Sequence, residues 1–319
     1  MRLGVAGVAA GASIILAACS PPSFQKPTAD LSKGLSEAKA AFETLAEDER
    51  QAFIATKVRE GLRPGSVILA KGCSQIVSTL PADPPPPKYD CRPVLANGST
   101  REPIDFNPAV PKLLHYMEVL DNYGKGLADL AAADDVTALK AASSKAIGGV
   151  GALATAFGGP AGAAAAAALG VVDLGVGFLL DQQRLHQLQK VIKAADVSIE
   201  VGLGVIIEAA VQAQQSVAEK RSNDLNLMAR ALQTRSTGTD PITAQATGEA
   251  LVAGHYSLQA YVNTDVREAF VKMRQAHGKL LEAVEHPQYD PAAALNSIND
   301  FVDKMSALRT AFTKLGSNK

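Results

Sequence analysis

Apolar residues recur every three or four positions along most of the chain, which is the spacing of one face of an α-helix. The first clear case runs from Leu31 to Arg59, where charged residues separate apolar ones at positions 31, 35, 38, 42, 45, 53 and 54. Gly61 and Pro64 follow and mark its end. Few segments show the strict alternation of a strand. The pattern therefore predicts an all-α protein.

The same spacing, read with capping residues, predicts the middle helices. Residues 113–133 form one helix, and Asp134 or Asp135 caps the next, which runs to about Phe157. From residue 161 the chain is expected to remain helical to about residue 233, with an interruption near residues 195–196. The central part of the chain is thus expected to consist of long helices.

Two Asp-Pro pairs, at residues 240–241 and 290–291, place an N-cap aspartate before a proline and predict two further helix starts. Their helices are expected to end near Glu285 and Leu315. The first carries a coiled-coil-like seam of residues three or four apart: Leu251, His255, Leu258, Val262, Val266, Phe270, Met273, His277, Leu280 and Val284. Long helices with short connections predict an antiparallel bundle.

Residues 66–80 have the spacing of a second short helix, which Pro81 would end. The following stretch, residues 81–108, is rich in proline and contains an Asn97-Gly98 turn signal. It is expected to be an irregular excursion from the bundle, and an exposed loop of this kind is a candidate recognition element.

Residues 146–180 are rich in glycine and alanine and contain a single charge, Asp173. A break divides the stretch into arms 146–157 and 161–180. The break contains the small or helix-stopping residues Gly158, Gly159, Pro160 and Gly162. The stretch is therefore expected to form a helical hairpin. This hairpin lies either at the centre of the bundle or in a membrane.

The length and charge of the two arms favour the bundle. The first arm would be about 18 Å long as a helix, which is too short for a bilayer core of about 30 Å. The second is just long enough, but an aspartate at the centre of an inserted helix costs about 3 kcal/mol. Small residues instead let two helices approach closely. The alternative stays open that the hairpin inserts into a membrane when the protein assembles.

The first residues point to export. Arg2 is followed by an uncharged apolar run from Leu3 to Ala18, which has the length and position of a signal peptide. The run ends in Leu16-Ala17-Ala18-Cys19. This motif resembles the lipobox of bacterial lipoproteins: a leucine, two small residues and then a cysteine, directly behind an apolar signal.

The resemblance implies that residues 1–18 are removed and that the sulfur of Cys19 carries a diacylglycerol, with a further acyl chain, such as palmitate, on the new amino terminus. Several acyl chains would hold the protein firmly, since each buried methylene contributes about 0.8 kcal/mol. Ser20 resembles the default signal for the outer membrane, which places the protein there, facing the periplasm. Residues 19–30 would be the acylated cysteine and a proline-bearing tether.

Export makes the remaining cysteines informative. With Cys19 acylated, Cys73 and Cys91 form an even pair in an oxidising compartment. A disulfide between them would close a loop of about 18 residues and stabilise the fold by roughly 3 kcal/mol. We expect this disulfide within the proline-rich excursion; free thiols or a metal pair are the alternatives.

Composition and charge exclude several classes of function. The chain has 31 basic and 32 acidic residues, a net charge of −1, and no tryptophan. Without a basic run or interleaved aromatic residues, nucleic acid is not an expected partner. No phosphate loop, nucleophile elbow or metal-binding histidine pair occurs in the sequence. We therefore expect no cofactor, no metal and no catalysis.

His255 and His277 lie on the seam 22 positions apart, so they cannot share a site on one helix. Each could bind a metal or sense pH. The more ordinary interpretation is a core histidine that forms a hydrogen bond to a neighbouring helix.

The sequence thus predicts an elongated antiparallel helical bundle over residues 31–319, with a central Ala/Gly-rich hairpin and a disulfide-bearing proline-rich loop at 81–108. The expected function is a non-catalytic binding, structural or assembly role in the cell envelope. The expected partners are the membrane and an envelope protein, and homo-oligomerisation is left open. Alternatively, the 146–180 hairpin inserts into a bilayer with a pore or permeability function, an architecture that resembles the cytolysin A family of α-helical pore-forming proteins.

Overall fold

The computed structural model describes residues 23–61, 67–69, 93–97, 100–103, 109–157, 180–234, 240–286 and 291–317. Within these residues it contains seven helices: α1 Gln25–Gly61, α2 Ala109–Ala132, α3 Val136–Phe157, α4 Leu180–Thr234, α5 Pro241–Val262, α6 Val266–Glu285 and α7 Pro291–Ser317. The prediction of a largely helical fold is confirmed. Helix α1 begins before residue 31, so the latter part of the predicted tether belongs to the bundle.

The one sheet among the described residues connects α1 to α2. Strands β1 (Val67–Leu69), β2 (Pro93–Asn97) and β3 (Thr100–Pro103) pair antiparallel in that order. The β2–β3 pairing aligns Asn97 with Thr100, so the predicted Asn97-Gly98 turn joins two strands. The predicted short helix over residues 66–80 is therefore wrong at its start, where β-branched Val67 and Ile68 lie in a strand.

Contacts between side chains fix the directions of the helices. In the α2–α3 pair, Asp129 binds Lys145 at 2.6 Å, and Tyr123 lies beside Gly149, so these helices are antiparallel. Helix α4 is also antiparallel to α2, because Leu188 lies near Ala131 while Gly202 lies against Tyr116. Helices α3 and α4 therefore run parallel. The second arm of the predicted hairpin lies almost entirely outside the described residues, which resume at residue 180.

Further contacts orient the remaining helices of the bundle. Helix α6 runs antiparallel to α4, as shown by the Lys193–Glu285 pair at 2.9 Å and the Glu200–Arg274 pair at 2.6 Å. It is also antiparallel to α7. Helix α7 in turn runs parallel to α1, where Gly34 lies against Phe301 and Arg309 binds Glu37. The bundle is therefore mixed in direction.

The core is one continuous apolar cluster that draws on α1, α2, α3, α4, α6 and α7 and on Tyr261 near the end of α5. Its largest completely buried side chains are Tyr116, Tyr123, Tyr261, Phe42, Phe270, Phe301 and Phe312. Predicted core positions Leu31, Leu35, Ala38, Phe42 and Leu45 of α1 are all buried, which confirms the amphipathic pattern. Burial of this stripe is the main favourable contribution to stability.

The predicted single helix from Pro241 to Glu285 is wrong, because it is divided into α5 and α6. Asp265 caps α6 by accepting hydrogen bonds from the backbone amides of Arg267 and Glu268. The apolar spacing continues from Val262 to Val266 across the break and hides it. The two halves also differ in burial: nearly the whole seam of α6 is buried, whereas α5 buries only Tyr261.

Helix α4 contains 55 residues and is about 80 Å long. The predicted interruption near residues 195–196 is absent, since the helix continues through them. Arg221 donates to the backbone carbonyl of Leu315 at 3.0 Å, so the last turns of α4 extend beyond the end of α7. There α4 packs against α5, with Gly254 beside Leu225.

Candidate functional site

Most residues singled out from the sequence lie outside the described part of the chain. This applies to the anchor residue Cys19, to Cys73 and Cys91, to the break at residues 158–162 and to Asp173. The described residues do show where the chain enters the bundle next to these segments. The entry points define the candidate site.

The start of α1 and the start of α4 meet at one end of the bundle. Ser23 and Phe24, a few residues after Cys19, share a cavity of about 200 Å³ with the first turns of α4, which directly follow the apolar stretch. Its other lining residues are Ala131, Asp181, Arg184, Leu185 and Leu188. The predicted lipid anchor and the end of the predicted apolar segment therefore enter the fold at the same place.

This cavity combines an apolar wall with a charged rim. Phe24 and Leu188 are buried, at 5% and 1% exposed. The Arg184 guanidinium pairs with Asp181 at 3.3 Å. Arg184 has the apolar stem and charged end that are favoured close to lipid interfaces.

The first arm of the predicted hairpin, residues 146–157, belongs to α3 and packs in the core. Val150, Leu153 and Ala154 are fully buried. Small residues do bring two helices close together, as predicted, but the partner helix is α2. A Cβ atom on Gly126 would lie 2.9 Å from the Cα of Ala146. This close contact supports the packed interpretation of the first arm.

We expect Gly126→Ala to destabilise the protein by about 1–3 kcal/mol, because the added methyl meets the backbone of α3 and overpacks the contact. This cost exceeds the roughly 1 kcal/mol that alanine gains over glycine in a helix. Gly148→Ala is the matched control, since a Cβ there meets no atom within 4 Å and should stabilise. Urea unfolding measures both; equal stabilisation by the two variants would contradict the close α2–α3 contact.

A buried polar network crosses the bundle between α2, α6 and α4. The Tyr123 hydroxyl lies 3.0 Å from Nε2 of His277, and Nδ1 of His277 lies 3.2 Å from Oδ1 of Asp196. A carboxylate only accepts hydrogen bonds, so Nδ1 carries the proton and donates to Asp196. In neutral imidazole, Nε2 then accepts from the Tyr123 hydroxyl. His277 is therefore a core histidine bonded to neighbouring helices, as the more ordinary interpretation held.

The network shifts the pKa values of both its ends. The hydrogen bond from His277 lowers the pKa of Asp196. Burial raises the pKa of Tyr123 well above its ordinary value, and the Asp196 carboxylate raises it further. The order tyrosine–histidine–aspartate resembles a proton relay, but the Tyr123 hydroxyl is fully buried, so no substrate can reach it. The network fixes the register of three helices.

Sequence reasoning missed this network because its members are far apart along the chain. His277 was identified only as a seam histidine, and nothing local connects it with Tyr123 or Asp196. His255, the other seam histidine, is exposed on α5. Within the described residues, no group of three or more histidine, cysteine, aspartate or glutamate side chains is placed to hold a metal ion.

None of the described helices is both long and apolar enough to cross a bilayer. Residues 158–179 lie outside the described part of the chain. No protein-family model, curated protein or solved structure matches this sequence.

Proposed function

We propose that the protein is a lipid-anchored component of the bacterial cell envelope with a binding, structural or assembly role and no catalysis. The observation that carries the proposal is Leu16-Ala17-Ala18-Cys19 directly after the apolar run. Acylation of Cys19 would attach the bundle to a membrane, and Ser20 favours the outer membrane, with the bundle facing the periplasm.

The geometry of the bundle supports attachment at that end. Phe24 is buried against α4, so only a few residues separate Cys19 from the folded body. Four residues span at most about 14 Å when fully extended. The cavity beside Ser23, with Arg184 and Asp181 at its rim, would then lie next to the lipid headgroups.

The exposed surfaces support a binding role. Two apolar side chains four residues apart on one side of α5 face solvent, Val252 at 55% and Tyr256 at 71% exposed. Neighbouring apolar exposure of this kind marks interaction sites more often than a scattered residue does. This surface lies at the opposite end of the bundle from Ser23, away from the proposed anchor, where an envelope protein could reach it.

Metabolic labelling with palmitate tests the anchor. We expect the wild-type chain to incorporate label and to remain with the membrane fraction, and Cys19→Ser to abolish both. Cys73→Ser is the matched control, because it removes a thiol outside the signal and should leave labelling unchanged. Label that persists in Cys19→Ser would overturn the lipoprotein assignment.

One observation favours the alternative, a membrane-active hairpin. The end of the 146–180 stretch enters the bundle beside the proposed anchor, so this stretch would lie near a bilayer. The core packing of α3 opposes it, since insertion of residues 146–157 would expose the buried contacts with α2. We therefore rank membrane insertion second.

A liposome-leakage assay on the acylated protein separates the two functions. The binding role predicts no leakage, and Ala164→Asp and Ala167→Asp would act only through stability, measured by circular dichroism. Leakage that both substitutions abolish while the helical signal and melting temperature are retained would establish the membrane-active function instead.

A further inference from the structure

The outer face of α4 carries an apolar stripe that no other part of the described chain covers. Val197, Val201 and Val205 are 55%, 51% and 56% exposed and lie four residues apart, so they follow one side of the helix. We call Val197, Val201, Gly204 and Val205 the valine face.

Charge is distributed asymmetrically along the same side of α4. Before the valine face, toward the start of the helix, Lys190 and Lys193 are exposed; Lys193 also binds Glu285 yet remains 69% exposed. After it, Glu208 and Glu219 are exposed. All four side chains lie within about 80° of each other around the helix axis, because α-helical residues advance by 100° each. The face is basic, then apolar, then acidic.

A face with this order is complementary to itself when it is reversed. If two copies of α4 pack antiparallel about a point next to Val201, Lys193 of one copy lies opposite Glu208 of the other, and each valine stripe meets its equivalent. A parallel pairing would instead align lysine with lysine and glutamate with glutamate, which is unfavourable. The charges therefore favour the antiparallel orientation and a second copy of the same helix as the partner of the valine face.

Gly204 would allow the two helices to approach closely at the centre of the contact. A Cβ added to Gly204 meets no atom of the described residues within 4 Å, so none of them requires glycine for packing there. Glycine in a helix costs about 1 kcal/mol relative to alanine. A close approach by a second helix would explain why glycine occupies this position.

We propose that the valine face binds a second copy of the chain, forming an antiparallel homodimer through α4. The two-fold axis of such an isologous contact is perpendicular to both α4 helices. Rotation about this axis leaves the two Ser23 ends at the same height along the axis, about 50 Å apart along the helices. Both proposed lipid anchors could then reach a single membrane with the dimer lying along it.

Cysteine cross-linking of the full chain in cells tests the contact. Val201→Cys lies at the proposed two-fold axis, and oxidation should link it to itself and give a species of twice the monomer mass on a non-reducing gel. Val136→Cys is the matched control, because Val136 is 49% exposed but lies on α3. We expect at least tenfold less dimer from this control. The chain without either substitution is a second control, which measures any dimer linked through Cys73 or Cys91.

A charge exchange tests the identity of the partner. Lys190→Glu with Lys193→Glu places like charges across the antiparallel contact and should reduce the cross-linked fraction of Val201→Cys at least roughly fivefold. Adding Glu208→Lys and Glu219→Lys restores opposite charges only if the partner is the same chain. Recovery of the dimer is the expected result.

Each other outcome overturns the proposal. A monomeric Val201→Cys chain that is fully oxidisable by a small thiol reagent would show that the valine face has no partner. A cross-link from Val201→Cys to a different protein would assign the face to that protein. Equal dimer from Val136→Cys would show random collision, and a four-fold charge variant that stays monomeric would exclude the antiparallel pairing.

Discussion

Raising the pH above about 10 is expected to unfold the protein in one cooperative step that coincides with tyrosine ionisation. Tyr116, Tyr123 and Tyr261 are completely buried, and burial raises the pKa of all three hydroxyls well above the ordinary value. Nearby carboxylates add to the effect, Asp196 for Tyr123 and Asp48 for Tyr261. The folded state therefore retains three protons that the unfolded chain releases.

The direction and size of the effect follow from proton linkage. Because the folded pKa values lie above the unfolded one, the stabilisation is fully present below pH about 10 and is lost as the pH rises further. Each such tyrosine lowers the free energy of unfolding by about 1.4 kcal/mol per pH unit, so three lower it by about 4. A total stability of about 5–15 kcal/mol is then exhausted within a few pH units.

Tyrosinate absorbance and circular dichroism, recorded together, measure this transition, and the lack of tryptophan keeps the absorbance signal simple. Tyr261→Phe should reduce the pH dependence of the free energy of unfolding by about a third. It should cause no loss of stability at neutral pH, because the buried Tyr261 hydroxyl has no hydrogen-bond partner among the described residues. Tyr256→Phe on the same helix is the control, since Tyr256 is 71% exposed. Ionisation of all tyrosines near pH 10 with full retention of helix would contradict the buried positions.

Phe42→Ala is expected to be among the most destabilising single substitutions, with a loss of about 3–5 kcal/mol. Phe42 of α1 stacks on Phe270 of α6 at a centroid distance of 5.0 Å and meets Phe312 of α7 edge-on at 6.5 Å. All three rings are fully buried. Because one side chain joins three helices from distant parts of the sequence, its removal leaves a cavity that no single helix can close.

Chemical denaturation and thermal melting measure the loss, which should lower the melting temperature by about 10 °C. Phe42→Leu retains most of the volume and should cost less than about 1.5 kcal/mol. Val252→Ala, at a position 55% exposed, should change stability by no more than about 0.5 kcal/mol. A Phe42→Ala variant as stable as the Val252→Ala control would contradict the position of α1 between α6 and α7.

Local signals predicted the helices well because each signal acts within a few residues. The Asp-Pro pairs located the starts of α5 and α7, and Asp135 caps α3 by accepting from the amide of Ala138 at 2.7 Å. The break at Asp265 escaped prediction because the apolar spacing continues across it. At this position apolar periodicity predicts a continuous helix, whereas Asp265 is a capping residue that predicts a new helix start. The new start is what the structure contains.

Tertiary contacts could not be predicted in the same way. Tyr123, Asp196 and His277 belong to three helices, and no spacing rule connects them. The direction of α4 relative to α3 likewise depends on which faces pack together, and that choice made the two helices parallel. Burial on α4 cannot be predicted from apolar composition for the same reason: residues 201–207 are apolar, but Val201 and Val205 point away from the core.

The proposed anchor would explain several features together. It would account for the apolar run that precedes Cys19, for the short stretch of chain from Cys19 to buried Phe24, and for the charged rim at Arg184. A bundle held at this end would present its far end to other envelope components and the valine face to a second copy of the chain. The central claim is therefore the chemical state of the amino terminus.

Mass spectrometry of the intact protein extracted from membranes tests that claim most directly. The account predicts a mature chain that begins at Cys19, lacks residues 1–18 and carries the added mass of a diacylglycerol and one further acyl chain. Fragmentation should place all of this mass on Cys19. A mature chain that begins elsewhere, or a Cys19 with a free thiol, would contradict it.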